Sequence, residues 1–529
     1  MLVLFDGWSS LFRDRVVPWR IGMAEKTRQQ FETDTLPRYI ETQRWYAAKG
    51  TPIDRAHIVD HAIWQEGKLS WVMALLDVGT PAEDASWYFM PLALAWEERD
   101  EDRVRNLATA AVAKIRQQAN VGIMGDAFAD EAFCRALVVA MSKKKDVATT
   151  QGKLQFRPTA AFAQLAGKDF ANLPAARPQG SSSNTVVVMG ERLILKGYRR
   201  LRAGASPELE MGLYLTEVVK YPNCAPLAGM LEYAGSNGEN RVLAMLQAYV
   251  ANQGDGWTYS LEYLRRHLEE HRTAPASDAL PTNAHAAYLI TIRTLAKRTA
   301  ELHRALTTIT GRADFDPEPI GRADFDAYRQ RALNEARNAL SLLISTLDQL
   351  PAADRDKANE VLALQDKLIA RLEATANEPA QGQKIRIHGD YHLGQVLVTR
   401  NDFVIVDFEG EPGHSLEERR AKQSPLRDVA GMLRSFSYVE HSALRSVAHD
   451  EVEFHKLAPL ANAWKAEVRN EFLAAYHETA QGSALTPGQG LLGLFELEKA
   501  LYELRYELTN RPTWAGIPLQ GILEWNTAQ

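Results

Sequence analysis

The residues best equipped for chemistry lie in "IRIHGDYHLGQVLVTRNDFVIVDFEGEP", residues 385–412. Its core, His388-Gly389-Asp390-Tyr391-His392, sets two imidazoles around one carboxylate, and Asp407-Phe408-Glu409 begins seventeen residues after Asp390. Two chemistries compete for such a set. His388, Asp390 and His392 have the donor types of a zinc or iron hydrolase. Alternatively, Asp390 accepts a hydroxyl proton while oxygen ligands nearby hold a hard divalent ion for phosphoryl transfer.

The residues that follow bear on the choice. Val396–Val398 and Phe403–Val406 are apolar runs flanking Thr399-Arg400-Asn401-Asp402, whose residue types favour a turn. Antiparallel pairing about Asn401 would set Gln395 and Asp407, each six residues away, side by side at the open end. An amide oxygen and a carboxylate would then face one point, which suits Mg²⁺, with Asp390 in the loop just before. The catalytic loop of protein kinases follows the same logic, with a base Asp, four intervening residues, a metal-binding amide and a later Asp after a hairpin. Here Gln395 stands in place of Asn and Glu409 in place of Gly. The hydrolase reading leaves Gln395 unexplained and predicts no partner in the N-terminal half, so His388 reads instead as a residue that hydrogen-bonds the loop backbone. A buried polar hairpin without chemistry would carry the same local pattern.

Phosphoryl transfer also demands a cation oriented by a carboxylate, on a strand and a helix elsewhere in the chain. In "RPQGSSSNTVVVMGERLILKGYRRL", residues 177–201, Thr185–Met189 and Leu193–Lys196 read as a hairpin about Gly190-Glu191. Lys196 ends the second strand. Glu210, fourteen residues later, rides a helix opened by Ser206 as N-cap and Pro207 at the first helical position. Glu208 on the same helix competes for the role of partner to Lys196. The loop 180–184 would cover phosphates through its backbone N–H groups and the hydroxyls of Ser181, Ser182 and Ser183. "LQAYV", 246–250, ends an apolar strand and reads as a hinge, with Gln247 and Tyr249, whose backbone would meet adenine. A lone lysine at a strand end commonly faces solvent; order and spacing relative to 390–407 give this one its meaning.

These elements must sit on a chain of 529 residues, enough for two or three domains. An apolar content of 46% with 24% charged residues is that of an ordinary globular protein. With 61 basic against 67 acidic residues and no long basic block, nucleic acid is excluded as an expected partner. The two cysteines, Cys134 and Cys224, sit in apolar stretches as free thiols of a reducing compartment. No run reaches 18 apolar residues and the N-terminus lacks a basic leader, so no membrane contact and a cytoplasmic location are expected. Residues 1–30 read as a peripheral lead-in, 31–115 as a small α+β subdomain, 116–250 as the part carrying Lys196, and 251–529 as a helical half. Helical periodicity is seen over 103–118, 128–142, 260–271, 284–307, 325–349, 353–376, 426–439, 457–481 and 489–509. The expected fold class is α+β, with two lobes and a cleft between them.

With these residues assembled, the chain resembles the bacterial maltokinases, members of the aminoglycoside-phosphotransferase and choline-kinase-like group. The matching motifs are Thr42-Gln43-Arg44-Trp45-Tyr46, "SSSNTVVVMGERLILKGYRRL", "SPELEMGLYLTE", "NQGDGWTYSLEYL", "IHGDYHLGQVL", "VDFEGEP", "RRAKQSPLRDVAGMLRSFSY" and "EKALYELRYELTNRPTWAGIPLQGI". They run from about residue 36 to 522, and 407–438 is the most specific stretch. The resemblance implies a bilobal fold like that of eukaryotic protein kinases, with an N-terminal cap subdomain and a mostly helical C-terminal lobe. It further implies transfer of the ATP γ-phosphate to the anomeric hydroxyl of maltose, giving maltose 1-phosphate for α-glucan synthesis. Carried over by motif, Asp390 would be the base, Gln395 and Asp407 the Mg²⁺ ligands, Lys196 the phosphate cation and Glu210 its partner. On the helix around 489–509, Glu498, Tyr502 and Tyr506 recur every fourth residue, a pattern that a half-buried amphipathic helix also shows. The resemblance makes Lys499, Tyr502 and Tyr506 the preferred maltose contacts. Gly197-Tyr198 departs from the family, where a bulkier apolar residue is common after the lysine. The opening "VLFDGWSSLF" is similar to the end of trehalose synthase, which suggests that enzyme as a partner.

Overall fold

The computed structural model describes residues 2–4, 27–46, 48–80, 83–117, 119–178, 184–272, 284–374, 382–481, 485 and 489–527. The chain forms two compact units, Met1–Glu217 with Ala225–Val250, and Val218–Cys224 with Ala251–Gln529. The expected lead-in, 1–30, lies mostly outside the described residues; Leu2–Leu4 pairs parallel with Lys114–Arg116, and helix is already present at 27–30.

The first unit is built on two seven-stranded sheets. The first runs Leu2–Leu4, Ala111–Gln117, Asn120–Asp126, Glu83–Trp96, Leu69–Thr80 and Arg55–Glu66, with Arg200–Leu201 added beside Glu83–Trp96. The second runs Asp146–Ala148, Gly152–Pro158, Leu227–Gly235, Asn240–Ala248, Leu193–Gly197, Thr185–Met189 and Ala175–Ala176. The helix expected over 103–118 is therefore corrected. It covers only Glu101–Ala108, because beyond it buried Ala113 and Ile115 alternate with exposed Lys114 and Arg116, the period of a strand. The consecutive strands of the first sheet continue past residue 115 through Asp126, and Arg200–Leu201 rejoins it later in the chain. Leu227–Gly235, a central strand, carries no polar alternation to reveal it; its first five residues are all buried.

More than one apolar cluster fills this unit, the most extensive lying around Trp64 and Phe133. Trp64, Trp71, Phe128 and Phe133 pack edge to face or tilted, with Trp64 and Trp71 ring centroids 5.3 Å apart. The buried indole N–H of Trp71 donates to Asp130 Oδ2 at 2.9 Å, and the same carboxylate caps the helix Glu131–Ser142 through Ala132 N–H. Arg199, fully buried, pairs with Asp126 and donates to Thr185 Oγ1, which ties the Lys196 hairpin to the first sheet. The neighbouring Gly197 has a steric cause: a Cβ there would come within 2.3 Å of the Phe128 ring.

The second unit is helical, and its long helices pair as amphipathic partners. Ala286–Leu306 packs on Glu451–Ala480, Arg322–Thr346 on Gln489–Asn510, and Leu426–Val447 contacts Gly256–Arg272, Glu451–Ala480 and Gln489–Asn510. The expected helix over 353–376 is two, Ala352–Ala363 and Gln365–Ala374, and a further one, Gly516–Thr527, follows Pro512–Trp514. Among the described residues no helix is long and apolar enough to cross a membrane.

Candidate functional site

The loop 385–395 is held by its backbone. Ile385 and Gln423 exchange two hydrogen bonds of 2.8–2.9 Å at its start. Further on, His388 N–H and Gly389 N–H both donate to the buried Asp428, to Oδ2 at 2.8 Å and Oδ1 at 2.9 Å. His303, fully buried, lies 3.1 Å from Asp428 Oδ2 and 2.9 Å from the Tyr476 hydroxyl through its other nitrogen. Burial alone would raise the Asp428 carboxyl, but His303 and the Gly389 N–H outweigh it and hold the group below its ordinary range. Gly389 sits at φ +83°, and a Cβ there would come within 3.2 Å of the Gly410 Cα, so the tight turn requires glycine.

Both histidines serve this loop. His388 Nε2 is 2.9 Å from the Val406 carbonyl, and its Nδ1 faces Asp390 N–H at 3.4 Å. With both ring nitrogens engaged, it has no lone pair for a metal, and the zinc-type reading of His388-x-Asp390-x-His392 falls away. His392, for which the sequence suggests no role, caps the short turn Leu393–Gln395 by accepting from Gly394 N–H at 3.0 Å.

Asp390 stands partly enclosed, with His392 Nε2 3.9 Å from its Oδ2 and its side chain 19% exposed. Burial and then the Glu411 carboxylate raise its carboxyl, against the opposing pull of Lys499 and the two histidines. Such a group holds a proton more readily than an ordinary aspartate, as a proton acceptor in catalysis must.

The hairpin exists with a different register from that expected. Val396 pairs with Ile405 and Thr399 with Asp402, so the turn is the two residues Arg400-Asn401 and does not centre on Asn401. Gln395 consequently lies opposite Val406, whose N–H donates to the Gln395 carbonyl at 3.0 Å. Asp407 compensates through its backbone: at φ +67° it leaves the strand path, and Gln395 Nε2 sits 3.3 Å from its Oδ2. Gln395 and Asp407 are therefore brought together by the left-handed backbone at Asp407 instead of direct cross-strand pairing, with the Gln395 amide N–H, not the expected amide oxygen, meeting the carboxylate. With the amide turned over, the pair would offer hard oxygen donors suited to a small divalent cation such as Mg²⁺.

A cavity of about 810 Å³ opens in the helical unit, lined by Asp390, His392, Glu411, Lys499 and Tyr502 among others. Trp257, Tyr438 and Trp514 add aromatic faces, the last two stacked at 21° with centroids 6.3 Å apart. Lys499 Nζ lies 2.6 Å from Glu411 Oε2 and 5.0 Å from the Tyr502 ring centroid. Burial would lower the Lys499 ammonium, but Glu411 and Asp390 lift it above its ordinary value, so it stays charged. Burial and Glu411 together push the Tyr502 phenol up to about 12. Tyr506 is a correction. It is 47% exposed and does not line the cavity, its ring lying under the Arg511 guanidinium at 5.6 Å. Steps of four on a helix of 3.6 residues per turn overshoot by about 40° each, so two steps carry Tyr506 roughly 80° from Glu498, which is buried.

In the first unit Lys196 does find a carboxylate, and it is Glu208, not Glu210. Its Nζ lies 2.9 and 2.8 Å from the two Glu208 oxygens, and the Tyr198 hydroxyl also donates to Glu208. Residues two apart on a helix with about 3.6 residues per turn face nearly opposite ways. The Ser206 cap and Pro207 set the phase so that Glu208 is the buried one, at 3% exposure. Ser181, Ser182 and Ser183 lie outside the described residues. Gln247 is paired opposite Ile194 in the second sheet, and Tyr249 N–H donates to the Arg192 carbonyl just past the strand end.

Asp428 and Glu411 were not legible as site residues, although both lie in motifs that signalled the resemblance. An aspartate inside the apolar face of "LRDVAGMLRSF" is the clue that was available for the first.

Known proteins resemble this chain in sequence and in fold. The sequence model of the phosphotransferase enzyme family matches residues 174–489, and that of the maltokinase N-terminal cap domain matches residues 39–130. A glucosamine kinase of Streptacidiphilus jiangxiensis is 25% identical over 340 residues, 64% of this chain and 70% of that protein. A glucosamine kinase of Mycolicibacterium smegmatis is 23% identical over 352 residues, 65% of this chain and 79% of its own length. The structure of a glucosamine kinase in complex with glucosamine, ADP and inorganic phosphate superposes with a TM-score of 0.62 at 19% identity, over 93% of this chain and 99% of that one. The likeness is one of fold, an α+β kinase-like architecture. With the family match spanning more than half its length, the chain belongs to the phosphotransferase enzyme family and carries a maltokinase-type N-terminal cap domain.

Proposed function

We propose that the protein transfers the γ-phosphate of ATP to the anomeric hydroxyl of maltose. Asp390 takes the proton of that hydroxyl as its oxygen attacks phosphorus, and ADP leaves. Lys196, oriented by Glu208, neutralises phosphate charge. Gln395 and Asp407 would hold Mg²⁺, which supplies further charge neutralisation when bound. Positioning and electrostatics do most of the work in such a reaction.

The observation that carries the sugar assignment is the Lys499–Glu411 pair beside Asp390. At this end of the cavity sugar hydroxyls can donate to Glu411 and accept from Lys499. The aromatic faces of Trp257, Tyr438 and Trp514 and a volume of about 810 Å³ suit a disaccharide. The names of the curated relatives favour the second reading, glucosamine as acceptor. Coupled ADP release measured with maltose, glucose, glucosamine, choline and an aminoglycoside, with detection of the sugar phosphate formed, separates them. Turnover of glucosamine or another acceptor without turnover of maltose would overturn the assignment, and no turnover of any acceptor would favour a non-catalytic module acting beside trehalose synthase. In the first reading the product feeds α-glucan synthesis, and the location is cytoplasmic.

Two variants test the roles of individual groups. A hydrogen bond to a charged group is worth about 1.5–3 kcal/mol, so Glu208→Gln is expected to raise the KM for ATP roughly tenfold or more. Initial-rate kinetics on this variant provides the check. Glu411→Gln removes a negative charge that raises Asp390. The acid limb of the kcat/KM profile reports the free enzyme's base, so it should move to lower pH in this variant. A limb that stays in place or moves upward would rule out Asp390 as the group it reports.

A further inference from the structure

A second cluster of ligand-type side chains lies away from the cavity. His267, Glu270 and His271 fall at i, i+3 and i+4 on the helix Gly256–Arg272, and one potential ligand atom from each lies within 4.8 Å of the others. That spacing places all three on one helical face. His267 is 8% exposed, and its Nε2 has no hydrogen-bond partner. His285, 1% exposed, immediately precedes the helix Ala286–Leu306; its ring centroid is 4.6 Å from that of His267, and its Nε2 is likewise without a partner.

Two buried imidazole nitrogens left unpaired at one place are costly unless something fills the gap, since buried polar atoms are satisfied as a rule. The second ring nitrogens of His271 and His285 are already oriented. His271 Nδ1 lies 2.8 Å from the His267 carbonyl, which fixes the N–H there and leaves the lone pair on Nε2. His285 Nδ1 meets the Tyr263 hydroxyl at 2.8 Å. A ligating histidine that gives its second nitrogen to a carbonyl or hydroxyl is the usual outer arrangement of a metal site. The neighbouring Arg272 guanidinium is engaged with His449, away from the cluster.

We propose that His267, Glu270 and His271 bind a borderline divalent transition metal, Zn²⁺ by its preference for imidazole with one carboxylate, and that His285 stands ready as the fourth donor. Bonds of about 2.0–2.1 Å are reached by rotation of the side chains, without a change in the helix. The ion would clamp the end of one helix to the start of the next. It is distinct from the Mg²⁺ assigned to Gln395 and Asp407: His267 is ten residues along the helix from the cavity-lining Trp257, about 15 Å at 1.5 Å per residue. Its role is structural, and it holds whatever the acceptor sugar proves to be.

The test uses the untagged full chain, stripped with a chelator and titrated with Zn²⁺ by calorimetry and with Co²⁺ by visible absorption. One ion per chain, d–d bands of low-symmetry Co²⁺ and a Tm that rises with Zn²⁺ are expected. Glu270 and His271 are not fully buried, so Glu270→Gln and His271→Ala should fold, which circular dichroism verifies. The double variant should lose at least about 100-fold in affinity, the upper range for loss of even an outer-sphere partner. Absence of stoichiometric binding by the parent protein, or binding unchanged in the double variant, overturns the site.

Discussion

Asp390→Asn is expected to lower kcat about 100- to 10,000-fold, the range over which a positioned general base contributes, while the fold is undisturbed. Asparagine matches the shape of aspartate but cannot take the proton of an acceptor hydroxyl. The stability arm of the prediction has a definite sign. Burial and Glu411 raise this carboxyl above its ordinary 3.8, so at neutral pH its charge costs the folded state free energy, a cost that falls as pH drops through the folded value and is gone only below the ordinary one. Removing the charge should therefore leave Tm unchanged or higher. Steady-state kinetics and calorimetry on one preparation distinguish the outcomes: full activity refutes the base, and a large fall in Tm refutes the electrostatic account of the loop.

Asp428→Asn should show the opposite signature. Its carboxylate accepts from two backbone N–H groups and faces His303, all buried. An amide in its place must turn an NH₂ donor toward one of those donors. Breaking a buried, charged network of this kind costs about 3–5 kcal/mol, and activity should fall with stability because the turn carrying Asp390 loses its anchor. The pH dependence follows from the same group. Its folded carboxyl is held below 3.8, so its stabilising contribution is complete above that pH and is lost as pH falls through the folded value. The variant should accordingly lack that part of the parent protein's acid sensitivity. A variant with parental Tm would show that the loop is held by other means.

The contrast between these two aspartates shows how far local pattern reaches. Asp390, Gln395 and Asp407 were legible because their spacing is set within one hairpin and its preceding loop, where residue number and position are tightly coupled. Even there the register was off by one residue, and the left-handed backbone at Asp407, which brings its carboxylate back to Gln395, leaves no mark in composition. Lys196 was placed by its strand, but its partner was not. Glu208 and Glu210 are equally acidic and equally near in sequence, and only the angular phase of the helix against the sheet separates them.

The same reason explains Tyr506 and Asp428. A four-residue repeat on a helix gives a drifting stripe, and which part of it faces a cavity depends on the neighbours that bury it. Asp428 acts forty residues away from the loop it anchors, through a helix whose position is settled by packing against three others. The strand Ala111–Gln117 was read as helix because apolar residues alternate there for only a few positions after a bulge at Ala111–Ala113, too short a run to outweigh the helical stretch before it. What the sequence by itself determined was the α+β class and the residue types that could serve as proton acceptor, oxygen donors and phosphate cation, each encoded at short range. What only the tertiary structure decided was which of several chemically equivalent side chains faces the site. That depends on helix phase and long-range packing, which are properties of elements far apart in the chain.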